Sequence, residues 1–243
     1  MGLHNRRLTI LPQLPDTIKH LKCQYNRLTT LETEKKGGCL PNTILSIDCT
    51  HNLIISLPEQ LPPNLAYLYC SDNYLTRLPE HLPNSLTWLA CGNNRLSKLP
   101  KHLPNSLRWL CCSNNFLTTL VDLPDTLTTL YCVNNKLRSL PELPDTLTYI
   151  NCSTNRLTVF PTLSNLDMTI YCYNNYMTKL HILSRTLIFF SGNPFLFNNT
   201  YVYNDNPTVW TNYKILVKIQ RQKKCVSLVN YMNRDLSREC NKY

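Results

Sequence analysis

The chain has 243 residues and a formal net charge of +10, a length that allows one or two globular domains and a charge that raises the question of an anionic partner. Half of that excess sits in the last 46 residues, with 8 basic and 3 acidic side chains, against 17 and 12 over residues 1–197. No run of 18 apolar residues argues for a transmembrane helix, and the 12 cysteines include eight at one repeat position, which excludes a small disulfide-stapled framework.

That position belongs to a frame whose clearest copy is Leu86-x-x-Leu89-x-Cys91-x-x-Asn94-x-Leu96. Slid along the chain, the frame places its cysteine at Cys23, Cys49, Cys70, Cys91, Cys112, Cys132, Cys152 and Cys172. Its asparagine falls at Asn26, Asn52, Asn73, Asn94, Asn115, Asn135, Asn155 and Asn175. A fixed period of twenty-odd residues is the signature of a solenoid, whose units stack and do not fold alone.

In chain order, Met1 to Pro12 reads as a half-repeat, with Leu3, Leu8 and Leu11 at frame positions and Arg6 in place of the asparagine. After the first full unit, Glu32 to Cys39 carries charges and paired glycines and reads as a loop insertion. The next units open with Leu-Pro-x-x-Leu-Pro, as in Leu78-Pro79 and Leu82-Pro83. Two prolines per connection forbid a helix interior, so the return segments are expected to be extended, in a polyproline-like form. Residues two apart in a strand share a face, so Leu89 and Cys91 point one way and Trp88 and Ala90 the other. One short strand per repeat then builds a single parallel sheet.

Toward the end the frame decays. Asp167 stands where Leu is expected, with Leu166 beside it, and Gly192-Asn193-Pro194 reads as a break in register after Leu187 and Phe190. Phe189, Phe190, Phe195 and Phe197 suggest a plug closing the array. After Asn206-Pro207 the pattern becomes helical, with Trp210, Tyr213, Leu216 and Val217 on one face, so a helical cap is expected over 207–236. The division expected is a solenoid of a half-repeat and eight to nine repeats over 1–197, then a basic helical tail over 198–243.

The frame and its Leu-Pro-x-x-Leu-Pro spacer resemble the leucine-rich repeat family over roughly residues 3–192. The likeness is to the short class found in secreted effectors of pathogenic bacteria and to repeat proteins of large DNA viruses of amoebae. The resemblance implies a right-handed, β-rich superhelix with an extended convex side, a curved surface for binding another protein, and a host-interaction role. Some bacterial members add a large ubiquitin-ligase domain with a catalytic cysteine; the 46 residues after Phe197 are too few for it, so Cys225 and Cys240 do not inherit that role.

The chemistry of the ladders favours structure over catalysis. A column of inward cysteines is a line about 4.8 Å per step, whereas zinc needs ligands around one point at about 2.3 Å. The thiols are therefore read as core packing. Cys91→Ser is expected to bury a hydroxyl with no partner. Cys111 neighbours the inward Cys112 and is read as facing out, open to thiol reagents as Cys39 is, with Arg108 the only flanking cation in its strand. The six histidines form no triad or ligand spacing. No cofactor, metal site or catalytic residue is expected, and the protein reads as non-enzymatic.

The outward strand positions hold Tyr67, Tyr69, Trp88, Trp109, Tyr131, Tyr149, Tyr171 and Tyr173. Lined up on adjacent strands they would make a contiguous aromatic patch of the residue types that dominate binding hot spots, with little role in folding stability. Mutual packing, or cover by the tail, is the competing reading. A second partner class follows from Lys214, Lys218, Arg221, Lys223 and Lys224, which suit nucleic acid or an anionic membrane. Ile219-Gln220 also resembles part of a calmodulin-binding motif. An intracellular, cytoplasmic monomer is expected, because no leader of signal-peptide type precedes the repeats.

Overall fold

The computed structural model describes residues 1–34, 39–163, 167–178 and 187–194. The inserted glycine pair, Leu166, Phe195, Phe197 and the basic helical tail expected over 198–243 lie outside these residues. Among them the chain forms nine three-residue strands: β1 (His20–Lys22), β2 (Ser46–Asp48), β3 (Tyr67–Tyr69), β4 (Trp88–Ala90), β5 (Trp109–Cys111), β6 (Thr129–Tyr131), β7 (Tyr149–Asn151), β8 (Thr169–Tyr171) and β9 (Leu187–Phe189). They pair in parallel and in chain order to give one nine-stranded sheet. The described return segments carry neither helix nor strand, as two prolines per connection dictate.

The first seven full coils are entered through the same tight turn. In Pro83-Asn84-Ser85-Leu86 the Leu86 N–H donates to the Pro83 carbonyl at 3.0 Å, and Pro104/Leu107, Pro124/Leu127 and Pro144/Leu147 repeat the bond. The hydroxyl within the turn reaches back one coil: Thr126 Oγ1 donates to Asn105 O and Leu107 O at 2.7 and 2.8 Å, and Thr146 does the same to Asp125 and Leu127. A Ser or Thr there closes the turn locally and clips it to its neighbour.

The strand then places its middle residue inward. Leu68, Leu89, Leu110, Leu130, Ile150 and Ile170 are all fully buried, and one continuous core runs from Leu3 to Phe190. The half-repeat closes the first end, because Leu3 is buried and its N–H donates to Lys22 O. The first residues of the insertion still lie on the array, contrary to what their charges suggest: Thr33 is buried and bridges Leu11 in parallel.

Each strand ends in a turn that the asparagine holds. Asn94 Oδ1 accepts the Leu75 N–H of the preceding coil at 2.9 Å. Its Nδ2 donates to Cys70 O of that coil and to Cys91 O and Gly92 O of its own, at 3.0, 3.2 and 3.0 Å. One buried amide thus ties two coils together, and Asn52, Asn73, Asn115, Asn135, Asn155 and Asn175 repeat the arrangement. The residue before each asparagine is left-handed, with φ between 50° and 57° from Tyr25 through Asn174. Asn occupies four of these sites, as its tolerance of that region predicts, whereas Tyr25 and Thr154 hold it against their side chains.

Two readings of the last coils are corrected. In the eighth coil it is Met168, one residue after the exposed Asp167, that enters the core. In the ninth, Gly192-Asn193-Pro194 does not break the register. Asn193 is buried, accepts the Met177 N–H at 3.1 Å and donates to Cys172 O and Phe190 O at 2.8 and 2.9 Å. Phe190 stands in the cysteine column, and Gly192 takes the left-handed site at φ 74°, where a Cβ would come within 2.2 Å of Asn174 Oδ1.

Candidate functional site: the outer aromatic ridge

Parallel pairing puts Tyr67, Trp88, Trp109, Thr129, Tyr149 and Thr169 in one column on the sheet's outer face. Tyr69, Ala90, Cys111, Tyr131, Asn151, Tyr171 and Phe189 form a second. From β4 to β8 each strand carries one ring and one small or short polar residue, and the ring switches column from β5 onward. The rings nevertheless touch in sequence. Centroids lie 6.3 Å apart for Tyr69 and Trp88, 4.0 Å for Trp88 and Trp109, and 5.6 Å for Trp109 and Tyr131. The series continues at 5.0 Å to Tyr149, 5.5 Å to Tyr171 and 4.6 Å to Phe189, with Tyr173 tilted 6.0 Å from Tyr171.

This packing changes what the face exposes. Tyr67 is 44% exposed, Tyr69, Trp88, Tyr149, Tyr171 and Tyr173 are half-buried, and Trp109 and Tyr131 are buried at 9% and 8%. The ridge is a second small core on the outer face, built of Ala90, Trp109, Cys111 and Tyr131 with Tyr69, Trp88 and Tyr149 against them. Burial there pushes the Tyr171 hydroxyl above its ordinary range. Mutual packing and a contiguous surface are therefore both properties of the same residues.

Cys111 is the main correction at the site. It does face away from the ladder, yet it is fully buried, because the neighbouring Trp109 and Tyr131 close over it. Alternation along a strand assigns a face; exposure depends on what the adjacent strands lay across it. Cys39 alone among the described cysteines is exposed. Phe189 is a second correction, since it extends the ridge by stacking on Tyr171 instead of plugging the array. Its signal was available: Asn193 lies four residues later, as Asn175 does after Tyr171.

At the other end the same columns turn polar, with His20 and Ser46 in one and Lys22 and Asp48 in the other. Burial raises the Asp48 carboxyl pKa, opposed by the Thr50 hydroxyl and N–H that donate to its Oδ1 at 2.8 and 3.2 Å. Asn151, in the same column, accepts the Ser153 N–H in the same way. These polar members serve the strand-end turn.

Beneath the sheet the ladder cysteines are chemically quiet. Burial pushes the Cys23 and Cys152 thiols up to about 12, and raises Cys49, Cys70, Cys91, Cys112, Cys132 and Cys172 as well. Their S–H groups have acceptors: Cys91 Sγ donates to Cys111 O and Cys70 Sγ to Ala90 O, each at 3.3 Å. A serine at Cys91 would therefore meet a carbonyl, contrary to the expectation that it would find none. Among the described residues no group of three His, Cys, Asp or Glu side chains could hold a metal ion, and no helix is long and apolar enough to cross a membrane.

A parallel solenoid with an inward Leu, Cys and Asn ladder and an open outer face defines a repeat scaffold of the kind used for protein interaction. The chain belongs to the leucine-rich-repeat family. Its fold superposes on the leucine-rich-repeat domain of a Shigella effector with 32% sequence identity and a TM-score of 0.59, over 64% of this chain and 72% of that one. YopM from Yersinia enterocolitica aligns with 31% identity and a TM-score of 0.60 over 76% of this chain, which spans 44% of the YopM chain. InlJ from Listeria monocytogenes, whose functional domain includes a cysteine ladder, shares the fold at 22% identity and a TM-score of 0.59, over 82% of this chain and 52% of that one. No protein-family model and no curated protein matches the sequence.

Proposed function

We propose that the protein is a non-enzymatic scaffold that binds another protein through the ridge running from Tyr67 and Tyr69 to Phe189. The observation that carries this reading is the unbroken series of ring contacts from Tyr69 to Phe189 across the outer face of the sheet. Seven strands at about 4.8 Å per step make a ridge about 29 Å long, enough to seat an extended segment or a helix of a partner. Its rings are already held by one another, so little side-chain entropy is lost when a partner docks, and Trp and Tyr supply large contact areas. The likeness to a Shigella effector domain supports a role at a host protein. In this proposal the solenoid over 1–197 is the recognition unit and the chain acts as a monomer without a cofactor.

A photo-crosslinking residue placed at Tyr67 tests this in the native host cell, with the same residue at Lys101, an exposed return-segment position off the ridge, as the control. Peptides of one partner should crosslink from position 67 and not from 101. Tyr67→Ala with Tyr149→Ala should weaken that partner by about thirtyfold or more, the scale of an interface anchor. Crosslinks from 101 alone, or affinity untouched by the double variant, would move the site off the ridge.

A further inference from the structure

Beyond the ladder asparagine the coils present a second continuous surface, on the side of the solenoid between the ridge and the return segments. From the Asn26 coil to the Asn155 coil the residues one, three and four places after the asparagine point out, while those two and five places after it are in the core or packed against it, as Leu75 and Leu78 are around Tyr74, Thr76 and Arg77. The coils stay in register here, because the Arg95, Phe116 and Lys136 N–H groups each donate to the preceding coil, at 2.8 Å. The three outward columns are thus strips running along the axis.

None of these columns carries an Asp or Glu from the Asn26 coil to the Asn175 coil. The first column holds Arg27, Arg95, Lys136 and Arg156, interleaved with the rings of Tyr74, Phe116 and Tyr176. Arg77, Lys98 and Arg138 stand beside them, and most of the remaining positions are Ser or Thr. The rings lie open at 41%, 50% and 59% exposure, more than any ring of the ridge except Tyr67. Cations of the next coil sit over two of them: Arg95 is 4.5 Å from the Tyr74 ring and Lys136 is 4.9 Å from the Phe116 ring. The acids gather elsewhere, as in Asp122, Asp125, Glu142 and Asp145 around the entry turns; Glu59 reaches the strip's margin to pair with Arg77 at 2.7 Å.

We infer that this strip binds single-stranded nucleic acid. Cations and hydroxyls in columns that themselves hold no Asp or Glu suit a phosphate backbone, and open rings at intervals along it suit bases. The spacing favours a single strand. Coils rise by about 4.8 Å, against about 3.4 Å between stacked bases, so a strand following the axis is stretched and its bases separate enough to meet the rings. A duplex keeps its bases stacked inside and offers the strip only phosphates. An acidic protein would satisfy the cations but leaves three exposed rings without a role.

Fluorescence anisotropy of the full chain with a labelled oligothymidine tests the assignment. Arg95→Gln with Lys136→Gln should weaken binding by at least about tenfold and flatten its salt dependence, since two phosphate contacts are lost. Tyr74→Ala with Phe116→Ala should weaken it by at least about fivefold with the salt dependence unchanged. A duplex of the same length should compete poorly. Neutralising Lys214, Lys218 and Arg221 should leave most of the affinity in place. The inference is overturned if oligothymidine does not bind, or if only the tail variant loses binding. It is also overturned if polyglutamate competes as well as oligothymidine and the ring variants bind normally, which would point to an acidic protein. All four strip positions are exposed, so their circular dichroism and melting should match the parent.

Discussion

Trp109 stacks face to face on Trp88, with centroids 4.0 Å apart and planes 6° from parallel, and two residues along the same strands, on the same face, the small Ala90 stands opposite Cys111 in the cluster these rings join. The two facts belong together. Only a small floor lets both indoles lie flat on adjacent strands, and the indoles in turn keep that floor dry.

Trp109→Ala is therefore expected to cost folding stability, about 2 to 4 kcal/mol, against the sequence-based expectation that the ridge matters little for folding. It should also open Cys111. In the parent, a thiol reagent should label Cys39 quickly and Cys111 slowly; in the variant Cys111 should label quickly while Cys91 stays protected. Denaturant unfolding and mass spectrometry of labelled peptides read both effects. Fast labelling of Cys111 in the parent would contradict its burial.

The asparagine ladder makes a sharper demand on chemistry than on shape. Asn94→Asp keeps an acceptor for the Leu75 N–H but turns an acid toward the Cys70, Cys91 and Gly92 carbonyls. A destabilisation of at least about 3 kcal/mol is expected, from the lost donors and an uncompensated buried charge. The carboxyl pKa would be raised in the fold, so the folded state holds its proton longer and the variant should lose stability as pH rises through and above the carboxylate range. A melt as high as the parent's at neutral pH would show that the amide donors contribute nothing.

What the sequence revealed of this architecture follows from its periodicity. Recurrence of Leu, Cys and Asn marks positions that meet copies of themselves, so strand placement, the parallel sheet and the two ladders could be read off directly. The pairing of Trp88 with Trp109 follows from the same arithmetic. Exposure did not, because whether Cys111 is open depends on rings supplied by other strands and on which way they lean. The ninth coil was hidden by a change of residue: Phe190 replaces the cysteine and Asn193 follows Asn175 after only 18 residues. The lateral strip was hidden for the opposite reason, since its signal is a missing residue type and no hydrophobic repeat marks it.

The left-handed column offers a test with both signs. Thr154 sits at φ 57°, where a β-branched side chain is strained, while Asn134 holds the equivalent site at φ 51°. Thr154→Asn should stabilise by about 0.5 to 1 kcal/mol, and Asn134→Thr should destabilise by a similar amount plus the loss of its 2.8 Å bond to Asn114 Oδ1. Chemical denaturation of the two single variants decides it; equal stability in both would mean that the turn relaxes around either residue.

The cysteine column makes the fold sensitive to alkali. Burial holds the Cys23 and Cys152 thiols at about 12, above the ordinary value of 9.0, and the other six ladder thiols are shifted the same way. Below pH 9 both folded and unfolded chains keep these thiols protonated, and the shift has no effect on stability. Above it the unfolded chain releases protons that the folded chain retains, so the folded state binds more protons and stability falls as pH rises. All eight thiols are shifted in the same direction, so their effects add and the folded state should weaken steeply above pH 9. Melting temperatures measured in reducing buffer between pH 7 and 10.5 should drop steeply past pH 9. Replacing Cys91, Cys112 and Cys132 by Ala should make that drop shallower while lowering the melting temperature at pH 7. A parent protein whose melting temperature is flat to pH 10.5 would mean that the ladder thiols are not held in their protonated form by the fold.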